Sequence, residues 1–262
     1  MLLRSMTKHV RDQNWFAVGL DFCIVLAGIL IAFQITSWSE ELRERAELAR
    51  AEIALQSELG RNYFNAAERV SLADCRIAQL SGLADRLLAP GEAWEGMPRD
   101  DTDNTSRAID RVLRSPSRVW GSRLWETNLA RGTFNQMGAD RRETLDLTFQ
   151  QTLNAEVLQE NIQTLQARLK LLGRTTELSR TDRLRYFDII SEIDEHSVIQ
   201  ELISGQIMSG IEQIGISLDE ARKSELRESL TVGNAARKTV YGACAKPITY
   251  PFIEETNPET AP

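Results

Sequence analysis

The chain has 262 residues, of which 42% are hydrophobic and 26% charged, and its formal net charge is −7. These averages exclude a collagen-like fibre, a disordered acidic tail and a multi-span membrane protein. An acidic chain of this kind is also not expected to bind nucleic acid. Two histidines and three cysteines leave little material for a metal site, so we expect no metal and no cofactor.

One segment, residues 15–38, is far more apolar than the rest of the chain. Asp21 is its only charged residue, and Trp15 and Trp38 bracket it. As a helix the segment rises about 36 Å, which is more than the roughly 30 Å hydrocarbon core of a bilayer. Tryptophan favours the boundary between water and lipid, because its ring is apolar and its N–H needs a partner. The segment is therefore predicted to be a transmembrane helix in a lipid bilayer, with Trp15 and Trp38 as interface anchors.

Two alternatives remain for this segment, a cleaved signal peptide and a buried helix of a soluble protein. A signal peptide would need an unusually long positive region, and no Ala-x-Ala cleavage pattern follows the apolar run. A buried soluble helix would leave the bracketing tryptophans and the basic flank without an explanation. An uncleaved anchor is the favoured interpretation.

The flanks of the segment predict its orientation. Residues 1–14 carry Arg4, Lys8 and Arg11 against one acid, Asp12. Basic residues stay on the cytoplasmic side of a membrane. The sequence thus predicts a single-pass protein of a bacterial inner membrane, with a cytoplasmic basic N-terminus at 1–14 and the remainder of the chain in the periplasm.

Residues 39–246 are predicted to form a helical domain. Apolar or small residues at steps of three and four, from Leu48 to Leu87, predict one long helix that ends at Ala89-Pro90-Gly91. The first part of that helix, Glu40–Arg50, alternates acidic and basic residues, which is typical of a solvated stalk.

Further helices are predicted downstream of a loop at 90–103. A short helix is predicted at Asn104–Arg114. Longer helices are predicted to begin at three start signals: Asp140 with Glu143, Thr181 with Asp182, and Ser217 with Glu220. No stretch alternates with period two, so the predicted fold is all-α, a transmembrane helix continuing into an antiparallel helical bundle. Residues 247–262 contain four prolines and are predicted to be an extended tail.

The apolar segment resembles the anchor of a family of uncharacterised bacterial single-pass proteins. The residues that carry the resemblance are Gln13-Asn14-Trp15, Asp21-Phe22, Gly28, Gln34 and Trp38. More loosely, Trp125, Leu129 and Gly132, and the late Cys244, resemble a motif in the exported part of that family. The resemblance implies an inner-membrane protein with a helical periplasmic domain, and it implies no particular activity.

Cys75 and Cys244 are the only cysteines in the predicted periplasmic part. A pair in an oxidising compartment is able to form a disulfide. Two buried free thiols are the alternative, since sequence does not show whether the two Cα atoms lie within bonding range.

The predicted span has two faces that suit contact with another helix. Asp21 and Gly28 share one face, and Gly19, Cys23, Ala27 and Gln34 share the other. Small residues let helices approach closely, and a polar side chain such as Gln34 is able to bond across the contact. We therefore expect the span to meet a protein partner or a second copy of itself.

The sequence contains none of the common catalytic motifs: no P-loop, no Gly-x-Gly-x-x-Gly, no Gly-x-Ser-x-Gly and no Cys-x-x-Cys. His196 is the only histidine of the predicted periplasmic part, and Trp120, Trp125 and Phe134 are interpreted as core residues. The expected function is that of an interaction or scaffold protein and not of an enzyme. A ligand-binding sensor that signals through a separate membrane partner is the alternative, and an unrecognised periplasmic enzyme is the third possibility.

Overall fold

The computed structural model describes residues 15–97 and 112–253. The predicted N-terminus at 1–14, most of the predicted helix at Asn104–Arg114 and the end of the predicted tail lie outside the described residues. The described residues form α-helices, four short 3-10 helices and one two-stranded ribbon. The predicted all-α fold class is confirmed.

The α-helices, in chain order, are α1 (Trp15–Ser71), α2 (Ala73–Leu88), α3 (Arg123–Ala130), α4 (Ala139–Arg168), α5 (Arg180–Ile214) and α6 (Glu220–Tyr241). The 3-10 helices cover Thr133–Gln136, Lys170–Gly173, Gly242–Cys244 and Pro251–Ile253. Strand β1 (Ala93–Trp94) pairs antiparallel with β2 (Thr176–Glu177). The ribbon was not predicted, because two-residue strands are too short to produce alternation in a sequence.

The chain divides into two compact units, one ending at Ala51 and one beginning at Glu52. The described part of the first unit is the N-terminal portion of helix α1, residues 15–51. Within it, Arg43 pairs with Glu47 at 3.7 Å and Arg45 pairs with Glu41, one turn apart and exposed. Such pairs fit a solvated stalk.

Helix α1 contains an apolar stretch of the length and composition of a membrane span. Its most apolar window has a mean hydropathy of 1.9, and none of that window is buried. A signal sequence would meet the same criteria of length and composition. No other helix in the described part of the chain meets them.

The long helix predicted to end at Ala89 is interrupted at Leu72, so the prediction of one continuous helix is wrong. The backbone N–H of Lys246 donates to the carbonyl of Ser71 at 3.0 Å. Because this bond uses the carbonyl of Ser71, the series of helical hydrogen bonds is interrupted there, and α2 starts at Ala73. The predicted stop before Pro90 agrees with the structure, in which α2 ends at Leu88.

Two of the predicted helix start signals do not supply the N-cap that the structure uses. The N-cap of α6 is Asp219, whose carboxylate accepts from the N–H of Arg222 at 2.7 Å, and not Ser217. Helix α4 begins behind Gly138 without a side-chain cap. Aspartate and serine cap helices about equally well, so the sequence pattern did not select the residue that is used.

Helices α4 and α5 pack antiparallel at the centre of the second unit. The side chain of Gln200 donates to the carbonyl of Ala155 at 2.8 Å, and Gly210 lies against Thr148. A continuous buried cluster joins these helices to α2 and the ribbon, and it includes Leu83, Leu87, Trp94, Leu169, Leu172 and Ile193.

A second part of the core is aromatic. The ring of Trp125 stacks on Phe134 and Phe149, with centroids 5.0 and 5.5 Å apart. Trp120 is also buried. Gly132, with φ of +74°, makes the turn between α3 and the 3-10 helix that carries Phe134. The interpretation of these aromatic residues as core is therefore confirmed.

Candidate functional site

The candidate site is an open groove between the start of the second unit and its last helix. The groove has a volume of about 520 Å³. Its apolar lining is Ile53, Phe64, Ile216, Leu218, Leu226, Leu230 and Tyr250. A cavity of this size and lining falls in the range of about 300–1,000 Å³ that is typical of ligand-binding sites.

Tyr250 is placed in the groove by a close approach to helix α1. A Cβ atom at Gly60 would lie 2.9 Å from the hydroxyl oxygen of Tyr250, so only glycine leaves room for the ring in this position. Burial raises the pKa of Tyr250 to about 12. The phenol is therefore neutral at physiological pH.

The aromatic ring of Tyr250 belongs to a cluster behind the groove. Its centroid lies 5.1 Å from that of Tyr63 and 5.1 Å from that of Phe252. The hydroxyl of Tyr63 donates to Glu212 at 2.7 Å, and burial together with that carboxylate raises the pKa of Tyr63. The cluster fastens residues 250–252, which belong to the predicted extended tail, onto α1.

The rim of the groove carries charge. Arg61 is exposed, and the described residues offer it no hydrogen bond or ion pair. Arg222 is committed to Glu225 at 2.5 Å. The groove therefore combines an apolar floor with one guanidinium that is available to an acidic group. Its lining contains no histidine or cysteine. An apolar floor beside a guanidinium suits the binding of a group that is both apolar and acidic.

The groove side of α1 is held in place by a row of buried polar side chains on an adjacent face of the helix. Asn62 bonds to the backbone of Gly121, Asn65 donates to the carbonyl of Val119 at 3.0 Å, and Glu68 holds Arg118. This row, which we call the polar ladder, consists of Glu58, Asn62, Asn65, Glu68 and Arg69. The polar ladder was not predicted from the sequence, although its members recur at steps of three and four residues beside the apolar stripe.

The predicted cysteine pair is joined in the structure. Cys75 and Cys244 form a disulfide, with their Cα atoms 5.0 Å apart. Lys246 adds an ion pair with Asp74 at 2.9 Å and the backbone bond to Ser71. The C-terminal segment is thus attached to the junction of α1 and α2 by three contacts.

The residues predicted to make contacts in the span are all exposed, and touch no other part of the chain, where the structure describes their side chains. Cys23 is a free, exposed thiol, and Ala27, Gln34 and Trp38 are exposed. A Cβ atom at Gly19 or Gly28 would meet no atom within 4 Å. The side chains of Trp15 and Asp21 lie outside the described part of the structure.

His196 lies on α5, away from the groove lining. Its Nε2 is 3.9 Å from a carboxylate oxygen of Glu192, and its Nδ1 is buried without a partner among the described residues. In the described ranges, no three residues of the metal-ligating types His, Cys, Asp and Glu are grouped closely enough to hold an ion.

The chain was compared with protein-family models, with curated proteins and with solved structures. None of the three comparisons gave a match.

Proposed function

We propose that the protein is a membrane-anchored helical interaction protein of the bacterial envelope and that its groove binds a segment of a protein partner. The observation that carries the proposal is the open apolar groove of about 520 Å³ with Arg61 at its rim. An apolar groove between two helices is a typical acceptor for an amphipathic partner segment.

The anchor is supported by the apolar stretch of α1. Phe22, Ile31 and Phe33 are each about 60% exposed or more, and the core helix of a soluble protein would bury such side chains. A lipid bilayer is the environment that removes them from water. With the basic flank in the cytoplasm, the second unit lies in the periplasm, where the disulfide fits the oxidising conditions.

The partner is expected to be apolar with an acidic residue beside the apolar face. Arg61 supplies a planar guanidinium that favours a carboxylate, whereas Asp219 caps α6 and Arg222 is already paired. In the membrane, the small-residue face of Gly19, Cys23 and Ala27 is proposed to let the span associate with a partner or with a second copy.

Site-specific photo-crosslinking of the full chain in bacterial membranes tests the groove. A photoreactive residue at Leu226, which lines the groove, is expected to give a discrete adduct, and Arg61→Glu is expected to reduce its yield several-fold. Val232 is the matched control, because it lies on the same helix, is 64% exposed and is not part of the lining. Equal labelling from positions 226 and 232, or no adduct at all, would contradict the proposal.

Oxidation of Cys23 in membranes tests association of the span separately. A disulfide-linked dimer, absent in Cys23→Ser, supports association of the span with a second copy. Recovery of monomer alone after oxidation contradicts that association. The groove experiment does not depend on this result.

A ligand-binding sensor is the second candidate, and the volume of the groove favours it. A space of about 520 Å³ is also suited to one small amphiphilic molecule. A rise in the melting temperature of the full chain with such a compound, lost in Gly60→Leu, supports this candidate. A flat response across anionic amphiphiles together with a protein adduct at Leu226 favours the interaction protein.

A further inference from the structure

A second, much smaller cavity lies at the junction of α1, α2 and α5, apart from the groove. Its volume is about 40 Å³. Cys75 of the disulfide borders it, and its polar lining includes Arg69, Gln79, Gln200 and Tyr241. One water needs about 10–15 Å³ of such space, so the cavity holds about three water-sized groups.

Arg69 is the unusual residue of this cavity. It is 8% exposed, and all of its hydrogen bonds reach uncharged oxygens. Nη1 donates to the hydroxyl of Ser115 at 2.9 Å, and Nη2 donates to the side-chain oxygen of Gln159 at 2.7 Å and to the carbonyl of Pro116. Its Nε has no hydrogen-bond partner among the described residues.

The nearby carboxylates are already committed to other arginines. Glu68 holds Arg118 through two hydrogen bonds of 2.6 and 2.7 Å. Glu201, which also borders the cavity, holds Arg76 at 2.7 and 3.2 Å. The charge of Arg69 therefore has no hydrogen-bonded counter-ion in the described part of the chain.

A buried charge of this kind is unfavourable unless an opposite charge accompanies it. Burial lowers the pKa of Arg69 to about 10, so the guanidinium remains charged at neutral pH. An anion in the cavity would supply the counter-ion that Arg69 lacks among its hydrogen-bond partners.

We propose that this cavity binds one small monovalent anion on Arg69, either a halide or a carboxylate of the size of formate. A volume of about 40 Å³ has room for an anion of that size. The bound anion joins α1 to the segment at 113–116 and to α5, because all three border the same space.

Thermal unfolding of the full chain in detergent tests the proposal. Sodium gluconate, whose anion is too large for the cavity, is replaced stepwise by chloride or by formate at constant sodium and ionic strength. Binding to the folded state alone raises the melting temperature, by about 3–6 °C at ten times the dissociation constant. The two arms distinguish a halide from a carboxylate.

Substitution of Arg69 locates the effect. Arg69→Gln is expected to abolish the dependence on chloride or formate, and Arg185→Gln, at an exposed position of α5 outside the cavity lining, is expected to keep it. If Arg69→Gln does not fold, diffraction from crystals grown with bromide gives the same information, with an anomalous peak expected in the cavity beside the guanidinium of Arg69. Identical melting temperatures in gluconate, chloride and formate, with only water at Arg69, would overturn the proposal.

Discussion

The side chain of Asn62 bonds to the backbone of Gly121 in both directions. Its Nδ2 donates to the carbonyl of Gly121 at 2.6 Å, and its Oδ1 accepts from the N–H of Gly121 at 2.9 Å. Asn62 is fully buried, so both bonds form away from water. The side-chain amide of Asn62 thus forms with Gly121 the pair of hydrogen bonds that a peptide unit of a neighbouring β-strand would form. These bonds hold the non-helical segment before α3 against α1.

Replacement of Asn62 by alanine is expected to destabilise the second unit by about 2–4 kcal/mol, because two buried backbone groups of Gly121 lose their partners. Denaturant unfolding of the full chain in detergent measures the change. Asn128→Ala is the control, since Asn128 makes an exposed bond to Leu124 within its own helix and should change stability by less than about 0.5 kcal/mol. Similar losses in both variants would argue against the pairing at Asn62.

Replacement of two glycines of α5 by alanine is expected to change the stability of the fold in opposite directions. At Gly210 a Cβ atom would lie 2.4 Å from Oγ1 of the buried Thr148, so Gly210→Ala should cost about 1–3 kcal/mol through overpacking. At Gly205 a Cβ atom meets nothing within 4 Å, so Gly205→Ala should gain about 0.5–1 kcal/mol from helix propensity. Adding Thr148→Ala to Gly210→Ala should restore part of the loss, and failure to do so would place the strain elsewhere.

Glu58 caps a helix that has no cap of its own. The helix α3 lacks a side-chain cap at Ser122, and the N–H of Leu124 donates to the carboxylate of Glu58 at 3.5 Å. Burial raises the pKa of Glu58 above 4.5, and the hydrogen bonds from Leu124 and Trp125 lower it by less. The carboxylate is therefore positioned to cap but is poorly solvated.

The raised pKa of Glu58 predicts how stability depends on pH. The folded state holds the proton more tightly than the unfolded state, so this group stabilises the fold at low pH. That contribution is lost as the pH rises from about 4.5 through the folded-state pKa. Glu58→Gln should remove this component and be at least as stable as the wild type at pH 7, because the amide still accepts from Leu124.

Glu58→Ala is the matched comparison for Glu58→Gln. It should lose about 1 kcal/mol or more at pH 7, since the cap of α3 is gone. Melting curves between pH 4 and pH 8 distinguish the two substitutions. An unchanged pH dependence in Glu58→Gln would show that another group is responsible.

The disulfide between Cys75 and Cys244 closes a loop with a sequence separation of 169 residues. In the chain-entropy model such a loop stabilises the folded state by about 5 kcal/mol, so Cys75→Ser should lower the melting temperature by about 10–20 °C. Cys23→Ser removes the free, exposed thiol and should leave the melting temperature unchanged. A reductant should alter the electrophoretic mobility of the wild type but not that of Cys75→Ser. If the oxidised and reduced wild type migrated equally, the bridge would be contradicted.

The helical stripes were predictable from the sequence because their signal is local. Leu55, Leu59 and Tyr63 recur at steps of four, and all three are buried. The stop before Pro90 and the start of α5 near Thr181 also follow from local signals. The burial of Trp125 agrees with its interpretation as a core residue.

The polar ladder was not predictable in the same way, because its partners are distant in sequence. Asn62 and Asn65 bond to backbone atoms of a segment more than 50 residues away that has no periodicity. The groove was missed for a related reason. Ile53 lies outside the buried row of Leu55, Leu59 and Tyr63, and only the tertiary arrangement shows that it borders a groove together with Leu226.

The bridge between Cys75 and Cys244 also changes how the protein is degraded. A protease that cuts one peptide bond anywhere between these residues opens the chain, but the two pieces stay on one covalent molecule. Both pieces then remain attached to the apolar stretch of α1, which lies before Cys75. Separation of the two pieces after such a cut therefore requires reduction of the disulfide, so one internal cut is not enough to divide the molecule.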